Sequence, residues 1–232
     1  MILDLKNIWS NINHNCVFCD LISANKSICH DCFEDLPRPT NPCLCCAIDL
    51  PVTSKYQYCH QCVSNPPPFK RTYAAFNYQF PINLVIPKIK KERQRFHLTW
   101  LAAALAAQIS NQPSSKHPQA LIPVPISMLK KIYKGYNQTE QLAQYLGKLL
   151  KIPVDDSLVL KNRNTRPQAE LNARERKQNL QQAFSVTDNI YQHVAIIDDV
   201  MTTGSTAIEI AKALRETGIE QVDLWILART PL

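Results

Sequence analysis

At 232 residues with 45% hydrophobic content, the chain is long enough to bury a core and too apolar for a disordered tail. The formal charge of +7 and pI near 8.9 suit a polyanionic partner, although charge of this size speaks to encounter rather than to fold. The longest apolar stretch, Leu98 to Ile109, is too short to span a bilayer, so a buried helix is expected there and no membrane span.

The first sixteen residues lack the basic start, apolar centre and small-residue cleavage site of an export signal, which predicts a cytoplasmic protein. All nine cysteines lie between Cys16 and Cys62, and eight form CxxC pairs: Cys16/Cys19, Cys29/Cys32, Cys43/Cys46 and Cys59/Cys62. Two residues between sulfurs let a tight knuckle aim both thiolates at one tetrahedral ion, and two knuckles close a site. Eight ligands predict two structural zinc ions, because thiols in the cytosol stay reduced and a closed site of four sulfurs leaves no position for chemistry. Sequential and interleaved pairing of the knuckles both remain open. Cys45, inside the third knuckle, is either a spare thiol or a replacement ligand, and His30 and His60 are expected to be exposed knuckle residues.

The proline stretch Ser64 to Arg71 marks a boundary, giving a zinc-binding domain over 1–66 and a second domain over 67–232. Residues 72–80 read as a strand, and Pro81 to Lys91 and Phe96 to Ile109 as helices, the second with Leu98, Leu101 and Leu105 inward. Residues 120–126 read as a short buried strand running into prolines. The helix over 137–151 opens with a capping box, Asn137 and Glu140, and is expected to bury Leu142, Tyr145, Leu146 and Leu149. A strand over 193–200, a helix from Ser205 stopping at Gly218, and a strand over 222–228 complete the pattern. Strands alternating with helices predict an α/β fold with a parallel sheet flanked by helices.

In such a sheet, ligands collect where a strand's carboxyl end leads into the next helix. Residues 198–206, DDVMTTGST, sit there. Gly204 permits a turn that other residues resist, and Thr202, Thr203, Ser205 and Thr206 surround a helix N-terminus suited to a phosphate. Asp198 and Asp199 would repel that phosphate unless they face sugar hydroxyls or a divalent cation such as magnesium, so the pair predicts a phosphorylated sugar.

The run of four apolar residues, two acids and TTGST resembles the binding signature of type I phosphoribosyltransferases, which bind phosphoribosyl pyrophosphate. That likeness puts Asp198 and Asp199 at the ribose hydroxyls and residues 202–206 on the 5-phosphate. Together with the cysteine-rich start, PVP at 123–125, KGYNQ at 134–138 and the segment 163–184, it is similar to the ComF family across nearly the whole chain. The usual RGFNQ of that family is KGYNQ here, which keeps the cation at Lys134 and the ring at Tyr136. The resemblance implies a competence protein of natural transformation that acts on incoming single-stranded DNA alongside DNA-uptake machinery proteins, with a phosphoribosyltransferase-like domain.

Two basic segments fit a polyanion. Lys88, Lys90, Lys91, Arg93 and Arg95 stand against Glu92 alone, and residues 161–177 carry six cations against two acids, a net +4 in each case. Tyr133, Tyr136 and Phe96 lie beside cations and are candidates to stack on bases. For group transfer, Arg163, Arg166, Arg174 and Arg176 are candidates to receive a leaving pyrophosphate, with the turn at Ile126 and Ser127 placed for the same group. No stretch announces an acceptor pocket. A DNA-uptake factor, a salvage transferase for a base or amine, and a non-catalytic sensor of the sugar phosphate all remain compatible with the motif.

Overall fold

Residues 194–197 and 222–228 are buried without alternation, which requires strands covered on both faces. The computed structural model describes residues 14–23, 27–92, 96–111, 117–127, 132, 135–162 and 183–231. In chain order its elements are β1 (His14–Asn15), β2 (Ile22–Ser23), α1 (His30–Glu34), α2 (His60–Ser64), β3 (Arg71–Asn77), α3 (Ile82–Glu92) and α4 (His97–Ser110). These are followed by β4 (Ala120–Pro123), α5 (Gln138–Leu150), β5 (Val159–Lys161), β6 (Phe184–Val186), β7 (His193–Met201), α6 (Ser205–Glu216) and β8 (Gln221–Arg229).

The central sheet has the order β3-β8-β7-β4, and every neighbouring pair is parallel. The α/β class and the helix-flanked parallel sheet expected from the alternation are what the chain forms. On one face, Ile86 of α3, Leu98, Leu101 and Leu105 of α4, and Leu142 and Leu146 of α5 pack on Ala195, Ile197, Trp225 and Leu227. On the other, Ala207, Ile210, Ala211 and Leu214 of α6 pack on Val194, Ile196, Leu224 and Ile226. Among the described residues no helix is long and apolar enough to cross a membrane.

The structure corrects several local expectations. Strand β4 ends at Pro123 rather than continuing to residue 126, with Val124 N still donating to Ile197 O at 3.0 Å just beyond it. Asn137 does cap α5, but its side chain accepts from Thr139 N at 3.2 Å and its amide donates to Glu140 Oε1 at 3.3 Å, instead of the reciprocal backbone bonds of a capping box. Leu149 lies 54% exposed on α5, one position outside the stripe that buries Leu142 and Leu146. The antiparallel pair β5–β6 was not expected; at three residues each, the strands are too short to show a period.

The cysteine segment does not stand apart from the sheet. Cys16, Ile28 and Leu36 belong to the core under α4, where Trp100 meets Phe18, Phe33 and Phe76 edge-on at centroid distances of 6.4, 6.5 and 6.1 Å. Cys43, Cys45, Cys46 and Ile48 belong to the opposite core with α6. The two halves of the segment thus cover both faces of the sheet near its edge strand β3, and Thr72 N donates to Leu44 O at 3.1 Å. Chain passes from cysteines to sheet near residue 66, but the packing continues across it.

Because Trp100 joins three rings from both parts of the chain, Trp100→Ala should lower the unfolding free energy by about 3 kcal/mol in urea titration. Leu149→Ala, on the exposed side of α5, should change it by less than about 0.5 kcal/mol.

Candidate metal centres and sugar-phosphate site

The eight knuckle cysteines gather sequentially, Cys16, Cys19, Cys29 and Cys32 in one cluster and Cys43, Cys46, Cys59 and Cys62 in the other, with all sulfurs of a cluster within 4.8 Å of one another. Each cluster is built the same way. A knuckle turns through one left-handed residue just after its second cysteine, Asp20 at φ 61° or Ala47 at φ 55°. The third cysteine then caps a short helix, α1 or α2, that carries the fourth.

Zn–S bonds of about 2.3 Å at tetrahedral angles separate the sulfurs by about 3.8 Å. Cys19 and Cys29 Sγ stand 3.7 Å apart, as do Cys46 and Cys59 Sγ. That spacing fits zinc and is far outside the roughly 2.05 Å of a disulfide.

The electrostatics favour a cation as well. Burial alone would raise the Cys16 thiol, but backbone N–H groups of Cys29, Cys19 and Phe18 outweigh it and hold it at about 6. Burial and the neighbouring Cys43 push the Cys46 thiol up to about 12. Thiolates crowded so closely repel one another, and a dication at their centre removes the conflict. Cys45 is outside both clusters; it is buried, and its Sγ lies 3.9 Å from Phe69 O, so it is a core residue. His30 and His60 are exposed and belong to neither cluster.

At the carboxyl end of β7, the sheet pleat sends Asp198 and Asp199 to opposite faces. Asp198 lines a small cavity with Thr202, Gly204, Ser205 and Thr206 at the N-terminus of α6. Gly204 has φ 76°, and a Cβ there would meet Met201 Cε at 2.6 Å, so the turn requires glycine. Thr203 and Ser205 hydroxyls lie 2.7 Å apart, and the twelve residues of α6 aim their positive end at this loop. Asp199 is buried on the α5 side, where Gln138 Nε2 donates to its Oδ2 at 3.3 Å and Val200 N to its Oδ1 at 2.7 Å.

That contact rests on Val124 of PVP and on Asn137 and Gln138 of KGYNQ. Asn137 Nδ2 and Thr139 Oγ1 donate to Val124 O at 3.1 and 2.7 Å, pinning the turn after β4 to the start of α5 and setting Gln138 against Asp199. Ile126 and buried Ser127 follow on that turn, on the same edge of the sheet as the motif. Tyr136 is buried at 6% exposure and its hydroxyl donates to Ile89 O, so its ring presents no face to a base. Lys88 is exposed on α3, and Phe96 is 47% exposed against His97. Arg93, Arg95, Tyr133, Lys134, Arg163, Arg166, Arg174 and Arg176 lie outside the described residues, as do the side chains of Lys90 and Lys91.

One residue was not anticipated. Arg229, buried to 7% exposure at the end of β8, donates from Nε to Cys46 O at 2.9 Å. Its Nη1 donates to Met201 O at 3.0 Å, Thr202 O at 2.6 Å and Thr230 O at 2.8 Å. Burial lowers the pKa of its guanidinium, and the thiolates of Cys46, Cys59 and Cys62 oppose that. A single guanidinium therefore ties the second cysteine cluster to the backbone of the TTGST loop. The available sequence signal was a lone cation ending the apolar run Leu224–Ala228 of β8.

Metal analysis of the purified chain should find about two zinc ions per chain, and Cys43→Ser should lose one of them while Cys45→Ser loses neither. Arg229→Met should destabilise the fold by about 3 kcal/mol, since it strands buried carbonyls of a charge-assisted network. Hydrogen exchange should then quicken at residues 201–206.

No family model matches the chain. Curated proteins do. Competence protein F of Haemophilus influenzae is 32% identical over 226 residues, 94% of this chain and 97% of that protein. DNA utilization protein YhgH of Escherichia coli O157:H7 is 32% identical over 195 residues, covering 82% and 86% of the two chains. The protein of that name in Salmonella typhimurium is 31% identical over 214 residues, covering 90% and 93%. With identity above three in ten sustained across nearly the full length of both chains, and with both cysteine clusters and the parallel sheet in place, the chain belongs to the ComF family.

Proposed function

We propose that the chain handles incoming single-stranded DNA in the cytoplasm during natural transformation, together with DNA-uptake proteins, and that its sheet domain binds phosphoribosyl pyrophosphate with magnesium. The names of the relatives, competence protein and DNA utilization protein, support the first half. The observation that carries the second is the cavity at the end of β7, where Asp198 and the hydroxyls of Thr202, Ser205 and Thr206 stand around one helix N-terminus.

The loop offers hydrogen-bond donors and the positive end of α6 to a phosphate. Asp198 supplies a hard oxygen that accepts from vicinal hydroxyls or ligates magnesium. Asp199, braced by Gln138, lies across the strand end, so a ribose seated beyond the sheet edge is the group both acids can address. Breaking the bond from the anomeric carbon to pyrophosphate would leave negative charge on the departing group. Ser127 and Ile126 on the neighbouring turn, and the four arginines between residues 163 and 176, are the groups this reading assigns to it. Lys88, Lys90, Lys91, Arg93, Arg95 and Lys134 are the cations it assigns to the nucleic-acid backbone, where each phosphate contact makes binding salt-dependent.

Calorimetry with phosphoribosyl pyrophosphate and magnesium should show binding that Asp198→Asn weakens about tenfold to a hundredfold, the loss of one charge-assisted contact. Zinc content should be unchanged. Equal affinity in wild type and variant would sink the sugar-phosphate reading. Pyrophosphate release with a free base, in a protein that does not bind single strands, would replace the DNA reading with salvage.

A further inference from the structure

A cavity of about 540 Å³ lies between the second cysteine cluster and α6, on the far side of the TTGST loop from the small cavity beside Asp198. We propose that it binds a nucleobase with its attached sugar phosphate.

The volume is that of a small-molecule site rather than a packing defect. Its walls come from three parts of the chain. Helix α2, anchored by Cys59 and Cys62, presents His60 and Gln61, and its C-cap residue Asn65 lines the cavity beside them. Their ring and amide groups donate and accept, the capacity needed to pair with the edge of a base. Pro67 and Pro68 face Ile208 and Met201 as apolar surface, suited to the flat faces of a heterocycle.

The third wall is α6 and its loop. Met201 and Ser205 line both cavities, so the larger one reaches the TTGST backbone from behind. Glu209, which alone would repel a phosphate, is paired with Lys212 at 3.0 Å. Arg229 closes the floor where cluster and loop meet. Polar edge groups and apolar walls, with Lys212 and Arg229 among the lining, match a nucleotide better than a purely apolar ligand or a bare anion. The base would come either from a free nucleotide or from a splayed residue of a single strand, and the same walls would hold both.

This inference goes beyond the sugar-phosphate site and does not need it. The experiment uses the zinc-loaded full chain and two variants, Ile208→Trp, which fills the cavity, and Asn65→Ala, which removes an edge group remote from the loop. Binding of thymidine monophosphate and of a short oligothymidylate is measured by calorimetry with excess ribose 5-phosphate present. Both variants should weaken binding of at least one of these probes about tenfold or more. Weakening for the monophosphate identifies the free nucleotide as the source, and weakening for the oligothymidylate alone identifies the strand. Unchanged affinity for both probes in both variants, or no binding of either by the wild type, overturns the proposal. Ribose 5-phosphate binding and zinc content, followed separately in each protein, should stay as in the wild type; the two sites therefore fail or stand independently.

Discussion

A guanidinium cannot be left in a protein interior without acceptors, and Arg229 takes its acceptors from two places that are remote in sequence. Cys46 O belongs to a cysteine cluster, while Met201 O and Thr202 O belong to the turn entering α6. Moving either costs the network a charge-assisted bond, so cluster and loop hold each other in place. The TTGST loop is thus braced from behind by a metal-type site.

The same logic runs through the cysteine segment as a whole. About fifty residues with few large apolar side chains cannot bury enough surface to fold by themselves. Here they borrow the two faces of the sheet, one cluster under Trp100 and the other beside α6, and a metal in each would set the knuckle geometry. What the segment gives in return is cover for the edge strand β3, through Thr72 N on Leu44 O and Asn77 N on Pro37 O. An uncovered parallel edge is a site for unwanted pairing.

Much of the sheet and both clusters were legible because their signals are local. Unbroken apolar runs mark β7 and β8, the 3.6-residue stripe marks α4 and α5, and CxxC spacing marks the knuckles. The misreadings share a cause. Leu149 sits at the margin of a stripe whose width depends on the partner, and Tyr136 follows a run of cations yet turns inward to Ile89. The short pair β5–β6 exists by virtue of its partner strand rather than its own composition.

The sequence by itself determined which residue types stand together: eight thiolates at knuckle spacing, a pattern that suits a tetrahedral metal, and two acids before TTGST at a strand end, the pattern behind the proposed phosphorylated sugar. Those are properties of neighbours along the chain. Only the tertiary structure decided which knuckles share a cluster, that Asp198 and Asp199 face opposite layers, that Gln138 braces Asp199, and that Arg229 joins the second cluster to the loop. Each of these last joins residues separated by ten to nearly two hundred positions or depends on which layer covers a strand, and that is set by packing across the sheet, which no local spacing encodes.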